Sequence, residues 1–538
     1  MSAAGDAAPF RRAAGWILLA VLLAGGPTLW LPLGRDQGIG LYIADVLRHG
    51  GAPYKDAWEI RPPGIFYVYA AGLELFGKHG WSLRLLDLLW QGATALALGL
   101  LGHRLFGRWA GLIAGALYAV VYFLGNDFWN LGNTDAFVAL PATLALLAVL
   151  PRARGPRWAW DLGAGLLIGA VFLLRFTHGL LFLPVIALFF AGTAGPFGAR
   201  VRPVFGRLVA AGLGFGLAVG AYALHLVVTG AWSDFYYTLF VFAPRYAVLT
   251  HHGSAAAFLS FFRQVVGGFA WKYAVLVFPA GAMLAWAARY ERHPFSVAAV
   301  LWIFGTLAGI AVMAKFYAYH WLPLFAPLAL AAGWYGQRLA GAWRRRLLPA
   351  ALLATALAVF GLGAFAVRFG ALAPRRLADA WQLSTGALTA DAYRQRFDTL
   401  STGGDFSATA NYRAADYLRL HTAPGDGVYI WGFETLIYFL ADRRPPTRFC
   451  SNYPIVAKWH KREWYEELVA ALAARPPAYV VLVTRDEMPW ITGQGRDSTA
   501  MLKAEFPELR DFILNNYQAE LVIENLVLCR YQPLAGQP

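Results

Sequence analysis

The sequence predicts a polytopic α-helical membrane protein with a C-terminal α/β domain outside the membrane, and its composition and charge distribution carry that prediction. Of the 538 residues, 58% are hydrophobic and only 14% are charged, whereas roughly a quarter of a soluble globular protein is charged. Residues 1–370 contain 28 Lys and Arg against 12 Asp and Glu, while residues 371–538 contain 18 against 19. We therefore expect a membrane domain over 1–370 and a soluble domain over 371–538. A disordered chain, a disulfide scaffold and an ordinary soluble enzyme are excluded.

Eleven apolar stretches of the first domain are long enough to cross a bilayer, which takes about 20 residues with some allowance for tilt or thinning. The predicted spans are 14–33, 82–103, 108–125, 134–151, 158–175, 177–193, 204–229, 271–289, 294–314, 320–338 and 347–368. Basic residues of a polytopic protein concentrate in its cytoplasmic loops. Those that fall in alternate loops here include Arg104, Arg108, Arg152, Arg154, Arg200, Arg202, Arg289 and Arg292. This alternation predicts a cytoplasmic N-terminus and, with an odd number of spans, an external C-terminus, and it explains the basic charge without a nucleic-acid partner. The first segment is followed by many other spans and lacks a convincing small-residue cleavage site, so we expect it to be a retained helix.

Two long external loops, 34–81 and 230–270, contain aromatic and apolar runs in place of the usual hydrophilic residues. Segments of this kind tend to lie in the plane of the membrane interface. We therefore expect any chemical site between these loops to lie at the outer boundary of the membrane.

The domain at 371–538 shows the alternation of helical and strand patterns that is typical of an α/β fold. The predicted helices are 409–421, 434–441, 458–474 and 506–517, and the predicted strands are 428–431, 478–483 and one or two strands within 519–531. No phosphate-binding or dinucleotide-binding fingerprint occurs in it, so we expect a scaffold, a wall on the acceptor side or a lid. Two interpretations of Cys450 and Cys529 stay open, a disulfide between them and two buried free thiols.

Two aspartates fall at the outer ends of predicted spans, where the bilayer penalises charge. Asp36 follows the first span, and Asp135 opens the fourth. An N-cap with a favourable helix-dipole interaction is the alternative interpretation of Asp135, because Asn133, Thr134 and Asp135 are all good capping types. A capping role is a weaker alternative for Asp36, since Gln37 or Gly38 could also begin the helical run that follows it.

Basic residues are rare on the outer side and therefore informative. Four basic residues that map near the outer interface are Arg61, Arg175, Arg245 and Lys315, and His178, His251, His252 and His320 map there as well. A basic cluster at this depth suits a lipid-linked phosphate, which Arg can bind bidentately. Snorkelling or helix-end anchoring is the alternative, especially for Lys315. A zinc site at His251 and His252 is disfavoured by their adjacent positions.

Several segments resemble the bacterial polyprenyl-phosphate-dependent GT-C glycosyltransferases, which include lipid A aminoarabinose and galacturonic acid transferases and the protein O-mannosyltransferases. The segments that carry the resemblance are Asp36-Gln37-Gly38 with Tyr42, residues 51–64, 75–77, Arg84-Leu85, Asn133-Thr134-Asp135, residues 315–324 and residues 425–432. The resemblance covers nearly the whole chain, and its most specific part is residues 36–77. It implies an inverting transferase of the GT-C fold in a bacterial cytoplasmic membrane, with a polyprenyl-phosphate-linked sugar as donor and a lipid, glycan or protein as acceptor.

By position, the resemblance assigns roles to individual residues. It implies that Asp36 is the general base, that Asp135 assists in the same acidic site and that Arg61 contacts the lipid phosphate. Further candidates on the phosphate side are Arg175, Arg245, Lys315 and His320, and candidates for acceptor or sugar contacts are Glu59, Tyr42, Tyr54, Trp58 and His178.

Two departures from the family pattern bear on the cofactor and on the donor. Gln37 stands where the family often has a second acid, so we expect no cofactor, with a divalent cation as the open alternative. Glu59 lies two residues before Arg61, whereas the aminoarabinose transferases have an acid adjacent to the basic residue. A lipid-linked saccharide flippase and an oligosaccharide ligase or polymerase are the alternative functions.

Overall fold

The computed structural model of the chain describes residues 7–150, 157–249, 254–289 and 294–532. Arg152, Arg154, His251, His252 and Arg292 lie outside the described residues. The part that these residues play in the predicted orientation and in the zinc argument therefore stays a prediction.

The chain forms two compact units, and each unit combines three separate stretches of sequence. Unit 1 consists of Met1–Leu31, Arg84–Leu224 and Ala255–Trp381, and unit 2 consists of Pro32–Leu83, His225–Ser254 and Gln382–Pro538. The predicted boundary at residue 370 falls within unit 1. Unit 2 joins the first predicted external loop, and part of the second, to the C-terminal region.

Helices build most of unit 1. Its principal helices are Ala7–Gly25, Ser82–Phe106, Arg108–Leu124, Ala139–Val149, Arg157–Leu174, Phe182–Ala191, Phe197–Thr229, Ala255–Lys272, Ala274–Arg289, Pro294–Met313, Phe325–Arg344, Leu348–Phe369 and Leu372–Ser384. Short 3₁₀ turns interrupt this series at Gly26–Trp30, Thr134–Phe137, Phe176–Leu181 and Ala318–Leu324. Three of these turns carry or adjoin residues that the sequence singled out.

Six helices within the described residues are long and apolar enough to cross a membrane. They are Phe10–Trp30, Ser82–Phe106, Arg157–Leu174, Phe197–Thr229, Ser296–Met313 and Leu348–Ser384, and the pair Ala255–Lys272 and Ala274–Arg289, bent by 107°, makes a seventh if it is one span. Shorter apolar helices cover the predicted spans at 108–125, 134–151 and 177–193. The multi-pass helical architecture is therefore confirmed, while the count of eleven spans stays a prediction.

Close helix packing in unit 1 depends on small residues. A Cβ atom at Gly165 would collide with the backbone of Ala211, and one at Gly214 would collide with the backbone of Leu162. The helices Arg157–Leu174 and Phe197–Thr229 thus approach each other at backbone distance. Small residues drive helix association in a membrane in this way, because lipid gives no hydrophobic driving force between helices.

Unit 2 contains a four-stranded mixed sheet. Its strands are Val428–Trp431 (β1), Tyr479–Val483 (β2), Tyr517–Ile523 (β3) and Leu526–Tyr531 (β4), in the spatial order β1-β2-β4-β3. The β1–β2 pair is parallel, and the other two pairs are antiparallel. The predicted strands are confirmed, and the segment at 519–531 forms a hairpin of two strands.

The remaining helices of unit 2 come from the C-terminal region, from the first predicted external loop and from part of the second. They are Arg35–Arg48, Gly64–Phe76, Trp232–Tyr236, Ala243–Leu249, Ala390–Arg394, Ala408–His421, Leu436–Ala441, Tyr453–Val456, Arg462–Ala474, Pro489–Thr492, Ser498–Glu505 and Pro507–Asn516, with a π-helical turn at Tyr237–Phe242. The core shows why the loops belong here, because Trp58 and Phe242 are buried in one cluster with Trp431 and Trp464. Both cysteines are buried free thiols.

Candidate functional site

Asp36 lies in the first turn of the helix Arg35–Arg48. The backbone of Gly34 caps this helix, and its N–H donates to Oε1 of Gln37 at 2.7 Å. A carboxylate in the first turn interacts favourably with the helix dipole. Gln37, the residue that departs from the family pattern, therefore has a capping role and leaves Asp36 as the acid of this turn.

Arg61 connects Asp36 to Glu59. Its guanidinium donates to Oδ1 of Asp36 at 2.6 Å and lies 3.0 Å from Oε1 of Glu59. The Glu59 side chain is 3% exposed, that of Arg61 is 10% exposed and that of Asp36 is 22% exposed. Asp36 is thus the member of this trio whose carboxylate a second molecule can reach.

The charges of the trio do not cancel. Two carboxylates and one guanidinium carry a formal charge of −1 when all three are ionised. Burial raises the pKa of Glu59, although the adjacent Arg61 opposes this change. The arrangement favours a neutral hydroxyl at Asp36 over an anion.

Tyr54 fixes the backbone of Arg61. The Tyr54 side chain is fully buried, and its hydroxyl donates to the backbone oxygen of Arg61 at 2.7 Å. Tyr54 adopts a left-handed backbone conformation with φ of 71°, which is costly for a bulky residue and persists only where the surroundings enforce it. This geometry supports a positioning role for Tyr54.

The other predicted sugar-contacting aromatics of unit 2 also pack inside the protein. Trp58 is 1% exposed and lies against Phe242 and Trp464. Tyr42 is 4% exposed and packs against Tyr438. Their ring faces are occupied by neighbouring side chains, so their observed contacts are those of core residues.

Asp135 lies in the 3₁₀ turn Thr134–Phe137 of unit 1 and is fully buried. Oδ1 of Asn133 accepts from the N–H of Thr134 and caps this turn. Arg175 binds Asp135 bidentately, with Nε 2.9 Å from Oδ1 and the second nitrogen 2.5 Å from Oδ2. The capping role belongs to Asn133, and the Asp135 carboxylate serves as the partner of an arginine.

Further predicted residues lie near this pair in unit 1. The turn Ala318–Leu324, which contains His320, packs against the turn that contains Asp135. His178 follows Arg175 in the turn Phe176–Leu181 and is fully buried, and neither of its ring nitrogens forms a hydrogen bond within the described part of the chain. The structure therefore brings four of the predicted residues together where helices of unit 1 break.

Lys315 lies just before the turn that contains His320. It is only 8% exposed, and burial lowers its pKa to about 8. Its neighbours Ala314 and Phe316 both have positive φ, at 60° and 52°. Such strain clusters at functional sites, and the burial excludes a snorkelling role for this lysine. Arg245, by contrast, is exposed in the helix Ala243–Leu249.

Two buried arginines hold these segments in place. Arg84 is 1% exposed and donates to the backbone oxygens of Leu131 at 2.8 Å and Phe128 at 3.0 Å, in the loop before Asp135. Arg35, next to Asp36, binds two acids of the C-terminal region. The sequence signal for Arg84 was a charge inside a predicted span, whereas nothing near Arg35 indicated distant partners.

Within the described residues, no group of three or more His, Cys, Asp or Glu side chains could hold a metal ion. The ion pairs among the candidate residues are those of Arg61 with Asp36 and Glu59 and of Arg175 with Asp135.

Comparisons with known proteins agree with this architecture. A family model described as dolichyl-phosphate-mannose-protein mannosyltransferase matches residues 60–213, and no curated protein matches the chain in sequence. The apo crystal structure of ArnT from Cupriavidus metallidurans is 15% identical, covers 96% of this chain and 98% of its own, and has a TM-score of 0.58. The same protein bound to undecaprenyl phosphate is also 15% identical, with 97% and 98% coverage and a TM-score of 0.51. The chain has the GT-C fold, so the resemblance seen in the sequence is confirmed.

Proposed function

We propose that this protein is an inverting glycosyltransferase that moves a sugar from a polyprenyl-phosphate donor to an acceptor hydroxyl at the outer face of the cytoplasmic membrane. The observation that carries the proposal is the Asp36 carboxylate, which begins a helix, is held by Arg61 at 2.6 Å and keeps 22% of its side chain exposed. The match of residues 60–213 to a mannosyltransferase family supports the reaction class.

Asp36 is the proposed general base. As the acceptor oxygen attacks the anomeric carbon of the sugar, its proton passes to the Asp36 carboxylate, and the bond between that carbon and the phosphate oxygen breaks. A base must be ionised before it can accept a proton. The Arg61 guanidinium donates to Oδ1 of Asp36 at 2.6 Å and so fixes the direction in which that carboxylate points.

Positive charge near the leaving phosphate lowers the energy of the transition state. We assign this role to Lys315 and His320 in unit 1, together with Arg175. Asp135 holds Arg175 through two hydrogen bonds, so its proposed part in the site is to position that arginine. Contacts of Arg61 and Arg245 with the phosphate, and of Glu59 and His178 with substrate, stay predictions from the sequence.

Fold and chemistry together support the donor class. A crystal structure of ArnT from Cupriavidus metallidurans holds undecaprenyl phosphate, and a phosphate leaving group matches the cationic residues of unit 1. Cleavage of the sugar–phosphate bond supplies the energy of transfer. The reaction therefore needs no nucleotide site, and the C-terminal region has no nucleotide-binding fingerprint.

Mass spectrometry of lipid and glycan extracts tests this proposal. A strain that lacks the gene is compared with the same strain complemented by the wild-type gene. We expect one envelope component to lose the mass of a sugar, and an isoprenoid-phosphate sugar to accumulate in the deletion. Identical extracts from the two strains would contradict the proposed reaction.

A further inference from the structure

The carboxyl ends of the parallel strands β1 and β2 lie side by side in unit 2. Glu434 follows β1 by three residues, Asp486 follows β2 by three, and each is 1% exposed. In α/β sheets, the crevice beyond the carboxyl ends of parallel strands is where ligands bind. In this protein, a side chain of the chain itself lies at the carboxyl ends of β1 and β2.

That side chain is the guanidinium of Arg35. It donates to Oε1 of Glu434 at 2.7 Å, to Oδ2 of Asp405 at 2.7 Å and to the backbone oxygen of Asp405 at 2.8 Å. Asn411 donates to the second oxygen of Glu434 at 2.9 Å and thereby fixes its orientation. Arg35 is only 8% exposed, and a guanidinium held by several acceptors at once has little freedom to move.

Arg35 directly precedes Asp36 at the start of the helix Arg35–Arg48. We propose that Glu434 is a positioning residue for the Asp36 base and acts on it through Arg35. This inference rests on the proposed function, since it assigns the C-terminal region a part in the same reaction. The carboxylate of Glu434 touches neither Asp36 nor a reacting atom.

Two more contacts from the C-terminal region hold the same helical turn. The N–H of Leu33 donates to the hydroxyl of Tyr412 at 3.3 Å. Gly38 lies against Leu436 so closely that a Cβ at this position would overlap the Leu436 backbone. Leu33, Arg35 and Gly38 are therefore anchored to one region, while the carboxylate of Asp36 turns to Arg61 instead.

Arg35 and Glu434 are both buried, and this burial explains how their contact can fix the position of Asp36 accurately. Without the Glu434 carboxylate, the Arg35 guanidinium keeps only the side chain and backbone oxygen of Asp405 as acceptors and shifts toward them. Because Arg35 and Asp36 share a peptide bond, such a shift moves the base. A misplacement of about 1 Å at a reacting group can cost roughly a hundredfold in rate.

The test uses Glu434→Gln, Arg35→Lys and the double variant in the full-length protein. Three quantities are measured: the transfer rate in membranes per folded protein, the thermal midpoint, and the Kd for undecaprenyl phosphate as the binding probe. Glu467→Gln is the control, because Glu467 accepts from Arg448 at 2.8 Å in the same unit, and Arg448, unlike Arg35, does not adjoin Asp36 in sequence. The transfer rate is followed by mass spectrometry, from the signal of the sugar-modified component that the deletion strain lacks.

We expect each single variant to lower the rate roughly tenfold to a hundredfold, with the Kd for undecaprenyl phosphate unchanged. The double variant should be no slower than the slower single variant, because both changes break one chain of contacts. The control should keep the wild-type rate. A general weakening of the fold does not lower turnover per folded protein while leaving affinity intact.

A wild-type rate for folded Glu434→Gln overturns the inference, and so do losses that multiply in the double variant. If Glu434→Gln does not accumulate, Asn411→Ala removes only the donor that orients Glu434 and should still slow transfer severalfold. An unchanged rate for Asn411→Ala then overturns the inference. Asp36→Asn separates the two claims: full transfer by it contradicts the proposed base, whereas an inactive Asp36→Asn beside a normal Glu434→Gln contradicts only the positioning role.

Discussion

Asp36 with Arg61 and Asp135 with Arg175 are two acid–arginine pairs that use the same chemical groups in different surroundings. Asp36 and Arg61 form a single hydrogen bond at 2.6 Å, and the carboxylate keeps 22% of its surface. Asp135 and Arg175 form a bidentate pair in which the carboxylate is fully buried. A base has to meet its substrate, so the exposure of Asp36 supports its proposed role as the base, and the burial of Asp135 supports its proposed role in positioning Arg175.

The largest effect on this comparison is expected from Asp135→Asn, because breaking a buried ion pair costs about 3 to 5 kcal/mol. We expect a lower thermal midpoint in detergent and a lower transfer rate in the protein that remains folded. Asp161→Asn is the matched control, since Asp161 and Arg207 form a bidentate pair of nearly the same burial in the same unit.

Both variants should lose stability by a similar amount, and only Asp135→Asn should lose activity per folded protein. Equal activity losses in the two variants would mean that Asp135 acts through stability alone. A stable, fully active Asp135→Asn would remove it from the site.

Asp486 extends the comparison to a buried acid held by hydrogen bonds from Ser498. Burial raises its pKa to about 7. The folded protein therefore holds a proton that the unfolded chain releases near pH 4, so stability falls as the pH rises from about 4 to about 7.

The expected loss between pH 5 and pH 7 is about 2 kcal/mol from this one group. Asp486→Asn should remove that part of the pH dependence, as measured by thermal unfolding at both pH values. Asp511→Asn, at an exposed acid of the same unit, should leave it in place. The prediction fails if Asp486→Asn and the wild type show the same change.

The smallest effect is expected at Lys315, and it tests whether this lysine of unit 1 binds the lipid phosphate. Its pKa is lowered to about 8, so its positive charge is lost as the pH rises through that value. Affinity for undecaprenyl phosphate should then fall by up to about tenfold per pH unit above pH 8.

Lys315→Arg should keep its affinity up to pH 10, because arginine stays protonated. Binding is measured by native mass spectrometry across the pH range. Parallel loss of affinity in wild type and Lys315→Arg would exclude Lys315 as the source of the pH dependence.

Sequence reasoning reached the architecture because its signals are local. Charge alternation and apolar runs predicted a multi-pass helical protein, and the alternation of patterns at 409–531 predicted helices and strands within a few residues of their observed bounds. Helices such as Arg108–Leu124, with 17 residues, fall just short of a full span, so length alone does not fix the number of crossings.

Partners distant in sequence were beyond the reach of the same reasoning. Asp36 and Asp135 were singled out from their positions, but the pairing of Asp135 with Arg175 depends on a tertiary contact across 40 residues. The contact between Arg35 and Glu434 joins residues 399 positions apart. Tyr54 and Trp58 were candidates for acceptor or sugar contacts, whereas Tyr54 packs against Phe66 and Phe235 and Trp58 packs against Phe242 and Trp464.

The most direct test of Asp36 as the base measures donor-lipid binding and sugar transfer separately in Asp36→Asn. Asn keeps the shape of the side chain and its hydrogen-bonding ability but cannot accept a proton as a carboxylate does. We expect wild-type affinity for undecaprenyl phosphate, a wild-type thermal midpoint and a transfer rate lower by at least about a hundredfold. Transfer at the wild-type rate by a folded Asp36→Asn protein would contradict the central claim that Asp36 is the base.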